Sequence, residues 1–179
     1  MFQNRHFAKQ IPLYDTRNEK TIMKVIGFRV YSDKKIYYCI IEKLADDSIN
    51  YLDYSSIEIP QALNWPEALA YTRNTILDIL NLYEIKKTVI RIAELDGASL
   101  ERCYIEGVLQ EAIASSPVEK FQTGQISTIA SLLHIQRDNF KQLVNNEIVY
   151  NDIPAEIDWT RISKPEREAI LTANSALNL

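Results

Sequence analysis

The sequence is short of the residues from which many sites are built. Four glycines in 179 residues leave little room for the glycine-rich loops that cradle phosphates in many nucleotide-binding enzymes. The two cysteines, Cys39 and Cys103, lie far apart and match no metal spacing, so they read as reduced thiols of an intracellular protein. Two histidines form no Ser/His/Asp or Cys/His set; His134, after Leu132-Leu133, reads as a packed or capping residue at a helix end. No apolar run approaches the roughly 18 residues of a membrane span, and no signal-peptide core opens the chain, so the expected compartment is the cytoplasm. A basic excess is also missing. The net charge of −4 and the pI near 5.3 argue against a general nucleic-acid binder, though a local basic groove is compatible with them.

What is present suits one globular domain: 46% hydrophobic and 25% charged residues, enough to bury a sizeable core. Residues 1 to 22 show neither alternation nor helical period and read as an N-terminal arm or extension. Met23 is the expected start of a single domain over 23 to 179. Its first strand is Lys24 to Tyr31. A polar turn at Ser32-Asp33-Lys34-Lys35 leads to a second strand, Ile36 to Glu42, and a third runs from Ile49 to about Ile59. Short connections make these an antiparallel meander.

Asn64 is placed to cap a helix opening at Pro66-Glu67 and running to about Tyr83. A buried strand, Thr88 to Ala93, ends in Glu94-Leu95-Asp96-Gly97. A second helix spans Ser99 to Ser115 with Leu100, Cys103, Tyr104, Val108, Leu109 and Ile113 as its apolar side. A short strand, Val118 to Phe121, precedes a third helix from about Ser127. Ser163-Lys164-Pro165-Glu166 is a capping box for a last helix to about Ala176. Trp65, Trp159 and the tyrosines read as core or interface fillers rather than base-stacking platforms, which usually come with interleaved basic residues.

The resulting order, β-β-β-α-β-α-β-α, resembles the RNase H-like superfamily, in particular its RuvC-type branch of junction resolvases. The residues that carry the likeness are Val25-Ile26-Gly27-Phe28-Arg29 on the first strand and Ile92-Ala93-Glu94 after the first helix. Arg102-Cys-Tyr-Ile-Glu106-Gly107 on the next helix and Glu166 and Glu168 on the last complete it. The resemblance implies an α/β fold in which the three-stranded antiparallel meander is extended by parallel strands, with helices on both faces. It also implies a nuclease site in which carboxylates hold two divalent ions about 4 Å apart, Mg²⁺ or Mn²⁺ by the hardness of oxygen ligands. The carboxylate on the first strand would sit at the centre.

This chain has Arg29 there. A guanidinium is always charged and repels a metal ion, and neither Gly27, Phe28, Val30 nor Tyr31 offers an acid instead. Asp33 lies past the strand end, about 10 Å or more away at about 3.3 Å per residue. The expectation is a metal-free pseudo-active site in which Arg29 pairs with Glu94, or else Arg29 is a plain strand residue. Glu94 and Asp96 serve either a site at the strand's C-terminal edge or capping of the next helix. Glu101 and Glu106 read as helix-surface charges, with Arg102–Glu106 an i,i+4 pair. Glu166 is explained by its capping box, while Glu168 keeps a functional candidacy.

Three functions follow. The first is a binding or regulatory module without nuclease activity and without a cofactor, its ligand a protein partner or a structured nucleic acid. The second is a nuclease dependent on Mg²⁺ or Mn²⁺ with Glu94, Asp96 and Glu168 as catalytic candidates. The third is an interaction protein of another α/β fold. A homodimer is compatible with each.

Overall fold

The protein is described here as a computed structural model, covering residues 21–94, 99–151, 153 and 157–179. Most of the expected N-terminal arm therefore lies outside the described residues. The first strand opens at Thr21, two residues before the Met23 at which the domain is expected to start.

That strand is β1 (Thr21–Val30), followed by β2 (Lys35–Leu44), β3 (Ile49–Glu58), α1 (Trp65–Leu82), β4 (Lys87–Arg91) and α2 (Leu100–Ala114). Then come β5 (Lys120–Gly124), α3 (Ile126–Leu132), α4 (Arg137–Val144) and α5 (Lys164–Ala176). The five strands form one sheet in the order β3-β2-β1-β4-β5, with β1 in the centre. β1–β2 and β2–β3 are antiparallel; β1–β4 and β4–β5 are parallel. This is the α/β architecture the sequence leads one to expect.

Alternation along β1 sorts its side chains onto two faces. Ile26, Phe28 and Val30 enter a core with Ile76 and Leu80 of α1 and Ile105, Leu109 and Ile113 of α2. Val25, with Cys39 and Ile41 of β2 and Val89 of β4, enters a second core with Ile170, Leu171 and Ala173 of α5, Phe140 of α4 and Trp159. Helices thus cover both faces. Trp159 is the core residue expected, donating its indole N–H to the Leu143 carbonyl at 3.2 Å.

Gly27 faces α5, and the contact leaves no space for a side chain. A Cβ built there would lie 2.1 Å from the Ala173 nitrogen and 2.5 Å from the Thr172 carbonyl carbon. Here glycine supplies room rather than an unusual backbone angle. Small residues on the helix, Ala169, Thr172, Ala173 and Ala176, complete the close approach, and all are buried. Nearly the whole of α5 is enclosed, from Arg167 to Ala176.

Helix starts follow local chemistry. Asn64 accepts from the Glu67 N–H at 3.1 Å and Glu67 returns a bond to the Asn64 N–H, while Glu166 accepts from the Ser163 N–H at 2.6 Å. Helix ends are less usual. Glu84, His134 and Asn146 all have positive φ, at 55°, 56° and 63°. The N–H of the residue after each reaches back five residues, to the carbonyls of Leu80, Ala130 and Gln142. These are Schellman closures made without glycine. His134 accordingly stands at a helix end, as expected, and separates α3 from α4, because a left-handed residue cannot continue a right-handed helix.

Candidate functional site

The site lies where β1 and β4 end side by side. Arg29 and Arg91 are partners in the parallel register, so both side chains leave the sheet on the face that α5 covers. Glu168, in the first turns of α5, meets Arg29: its carboxylate accepts from the Arg29 Nε–H. Arg29 also donates to the Val30 carbonyl. Side-chain exposure is only 12% for Arg29 and 9% for Glu168, so this ion pair is shielded from solvent.

The expected partner of Arg29 was Glu94, and the placement differs. Glu94 lies beyond the end of β4 and turns toward α3, where one carboxylate oxygen accepts from the Ile126 N–H at 3.1 Å. The same oxygen is 3.0 Å from Arg91 Nη2, and the other oxygen is 3.8 Å from Arg137 at the start of α4. Arg29 pairs with Glu168 because α5, not the loop after β4, lies over the face onto which Arg29 projects. Ser99 caps α2, accepting from the Arg102 N–H at 3.2 Å. Asp96 lies outside the described residues. Glu166 is used by its capping box.

The largest departure from the sequence reading is on α2. Leu100, Cys103 and Tyr104, read as its apolar side, are exposed. Arg102 and Glu106, read as surface charges, are buried with 9% and 7% of their surface accessible. Arg102 Nε donates to Glu106 at 2.9 Å, and the same carboxylate oxygen accepts from the Ala93 N–H at 2.9 Å, which ties α2 to the end of β4. The signal was present in the sequence. Ile105, Leu109, Ala112 and Ile113 stand at i, i+4, i+7 and i+8, and one step of three back from Ile105 reaches Arg102.

One sheet edge thus gathers Arg29, Arg91 and Arg102 with Glu94, Glu106 and Glu168. Burial pushes the Arg91 and Arg102 guanidinium groups below the usual arginine range, and the positive charge of Arg29 nearby acts in the same direction. Both stay protonated at any ordinary pH. Two of their nitrogens, Arg91 Nε and Arg102 Nη2, are buried with no hydrogen-bond partner among the described residues.

These residues do not fit a pair of divalent ions. Each of the three glutamates already faces a guanidinium, and the position that would bridge two metals carries a positive charge. Among the described residues no group of three or more His, Cys, Asp or Glu side chains is placed to hold a metal ion.

Beside this edge, Trp65 and Tyr104 form an exposed edge-to-face pair with ring centroids 6.2 Å apart. Lys34 lies 5.4 Å from the Trp65 ring. Tyr31 and Tyr37 make a second such pair at 5.9 Å, with Lys35 over Tyr37 at 5.2 Å. Of the two roles expected for Trp65, core or interface, its exposure removes the core, and basic residues do interleave with these rings.

No protein-family model matches the chain, and no curated protein matches it in sequence. Solved structures do match in shape. The structure of Thermus thermophilus RuvC superposes with a TM-score of 0.61 at 11% identity, over 87% of this chain and 94% of that one. The same T. thermophilus protein in complex with a Holliday junction substrate gives 0.58 at 9% identity, over 87% of this chain and 93% of that one. At such identity the likeness speaks for fold. Among the described residues no helix is long and apolar enough to cross a membrane. With the sheet order, the two helical layers and the superposition in agreement, this chain has the RNase H-like fold in the form that RuvC displays.

Proposed function

We propose that the protein is a binding module without nuclease activity, built on a RuvC-like frame and directed at structured nucleic acid. The observation that carries the first half is the shielded Arg29–Glu168 pair. It puts a fixed cation where a two-metal mechanism needs a bridging anion. A metal entering there would have to displace a guanidinium from a carboxylate in a poorly solvated setting, where a like charge is strongly disfavoured.

The second half rests on the exposed rings beside that edge. Trp65 and Tyr104, with Lys34 against the indole, supply an aromatic surface and a cation together. That is the combination on which unpaired bases stack and phosphates are neutralised. The T. thermophilus RuvC structure with a Holliday junction substrate makes branched DNA the natural first ligand to try.

The test mixes the protein with labelled four-way, forked and single-stranded DNA, with Mg²⁺ or Mn²⁺ and then with EDTA. Binding that weakens with salt, equal with and without metal and unaccompanied by cleavage, is expected. Trp65→Ala should weaken it by about tenfold, since base–aromatic stacking contributes roughly 1–3 kcal/mol. Metal-dependent cleavage that disappears in Glu168→Gln would overturn the reading. An absence of DNA binding, with a protein captured instead, would confine it to protein recognition.

A further inference from the structure

The buried guanidinium nitrogens without partners need an explanation. A buried donor left unpaired costs about 1–3 kcal/mol, more for a charged group, and in folded proteins such donors usually meet a water or an ion. Here there are two of them, Arg91 Nε and Arg102 Nη2. They belong to side chains from different elements, β4 and α2, which Glu106 ties together by accepting from both the Ala93 N–H and Arg102 Nε.

Among the described residues, Arg29, Arg91, Arg102 and Arg137 stand at this edge with Glu94, Glu106 and Glu168, so four guanidinium groups share three carboxylates, and Lys141 and Lys164 line a cleft of about 260 Å³ with the same Glu168. The guanidinium fork matches the oxygens of phosphate as well as those of carboxylate.

We propose that this edge binds a phosphate group directly, Arg91 and Arg102 donating to its oxygens with no metal ion between. The inference rests on the proposed binding role and deepens it: positive charge that a nuclease borrows from metal ions is here built into the chain. Glu94 is the gate. Its side chain is 36% exposed, the most accessible of the three carboxylates. It holds Arg91 from the solvent side, and a phosphate takes its place.

The experiment is calorimetric titration of the full chain with inorganic phosphate in EDTA. Saturable binding at millimolar phosphate is expected. Arg102→Gln should weaken it by about tenfold, the effect of losing one charge-assisted bond. Arg91 is too enclosed for its loss to be read apart from folding, so the second variant is Glu94→Gln. Removal of the competing charge should tighten phosphate binding several-fold while circular dichroism and Tm stay near those of the parent. No saturable heat, undiminished binding in Arg102→Gln, or unchanged affinity in Glu94→Gln would each overturn the site.

A competition arm separates the sources of phosphate. Single-stranded DNA lacking terminal phosphates should displace inorganic phosphate if the nucleic-acid backbone is the ligand. If phosphate binds and DNA does not, the site stands, its ligand is a small phosphorylated molecule, and the nucleic-acid reading fails. If DNA binds and phosphate does not, the reverse holds.

Discussion

Gly27 and Arg29 stand two residues apart on β1, on the same face and beneath the same helix, yet α5 meets them in opposite ways. At Gly27 the backbones touch and a methyl group has no place. At Arg29 the helix has just begun, and a guanidinium and a carboxylate fill the space between helix and sheet. The first contact is dry and depends on shape; the second is charged and depends on pairing. One end of the crossing is closed by shape, and the other by charge.

The largest expected effect is at the packed end. Gly27→Ala should cost about 3 kcal/mol, at the upper end of ordinary overpacking because the obstacle is backbone, and Gly27→Val should prevent folding. Urea denaturation measures the first, and a loss of under about 0.5 kcal/mol, the range of ordinary surface substitutions, would erase the contrast.

At the charged end Arg29→Met should cost about 3 kcal/mol by stranding Glu168, whereas Arg29→Met with Glu168→Met should return to the parent stability or exceed it. A double substitution as damaging as the single one would mean that the pair is structural in the same sense as Gly27.

Thiol chemistry sharpens the comparison further. Cys39 is the register partner of Gly27 and is fully buried, and burial raises its thiol well above the usual range, so it stays protonated. Cys103 is exposed. A chromogenic disulfide should label Cys103 at once and Cys39 only on opening of the α5 contact. Gly27→Ala should speed the second reaction, while Arg29→Met with Glu168→Met should not.

The smallest effect concerns where glycine is spent. It gives room at Gly27, while helix ends with positive φ fall to Glu84, His134 and Asn146. His134→Gly should therefore stabilise by about 1 kcal/mol, the left-handed strain relieved less the added freedom of the unfolded chain. A lower Tm would show that His134 makes a compensating contact.

Much of the fold was legible because its signals are local. The β1–β2–β3 meander follows from alternation and turn residues, and the Asn64–Glu67 and Ser163–Glu166 boxes mark helix starts. That His134 stands at a helix end was legible, but its left-handed backbone was not, since glycine is the usual sign of one. The site was half legible. Arg29 and Glu168 stand out against a motif that wants acids, but which carboxylate Arg29 meets depends on which face α5 covers, and that is tertiary. Arg102 and Glu106 were legible in the period that Ile105, Leu109, Ala112 and Ile113 set, and were passed over because an i,i+4 ion pair is usually a surface feature.

The order of the chain gives the α5 contact a last consequence. β1 is the first described strand and α5 the last helix, and one core cannot close until they meet. During synthesis the sheet and the α1–α2 layer can form while Val25, Cys39 and Val89 still lack their cover, so this face stays open to water, to chaperones and to other nascent chains. The covering segment is also sequence-distant from the strand it covers, and such contacts close slowly. The final helix therefore acts as the timer of the molecule: until it docks, Glu168 has not reached Arg29, and the charged edge is not yet assembled.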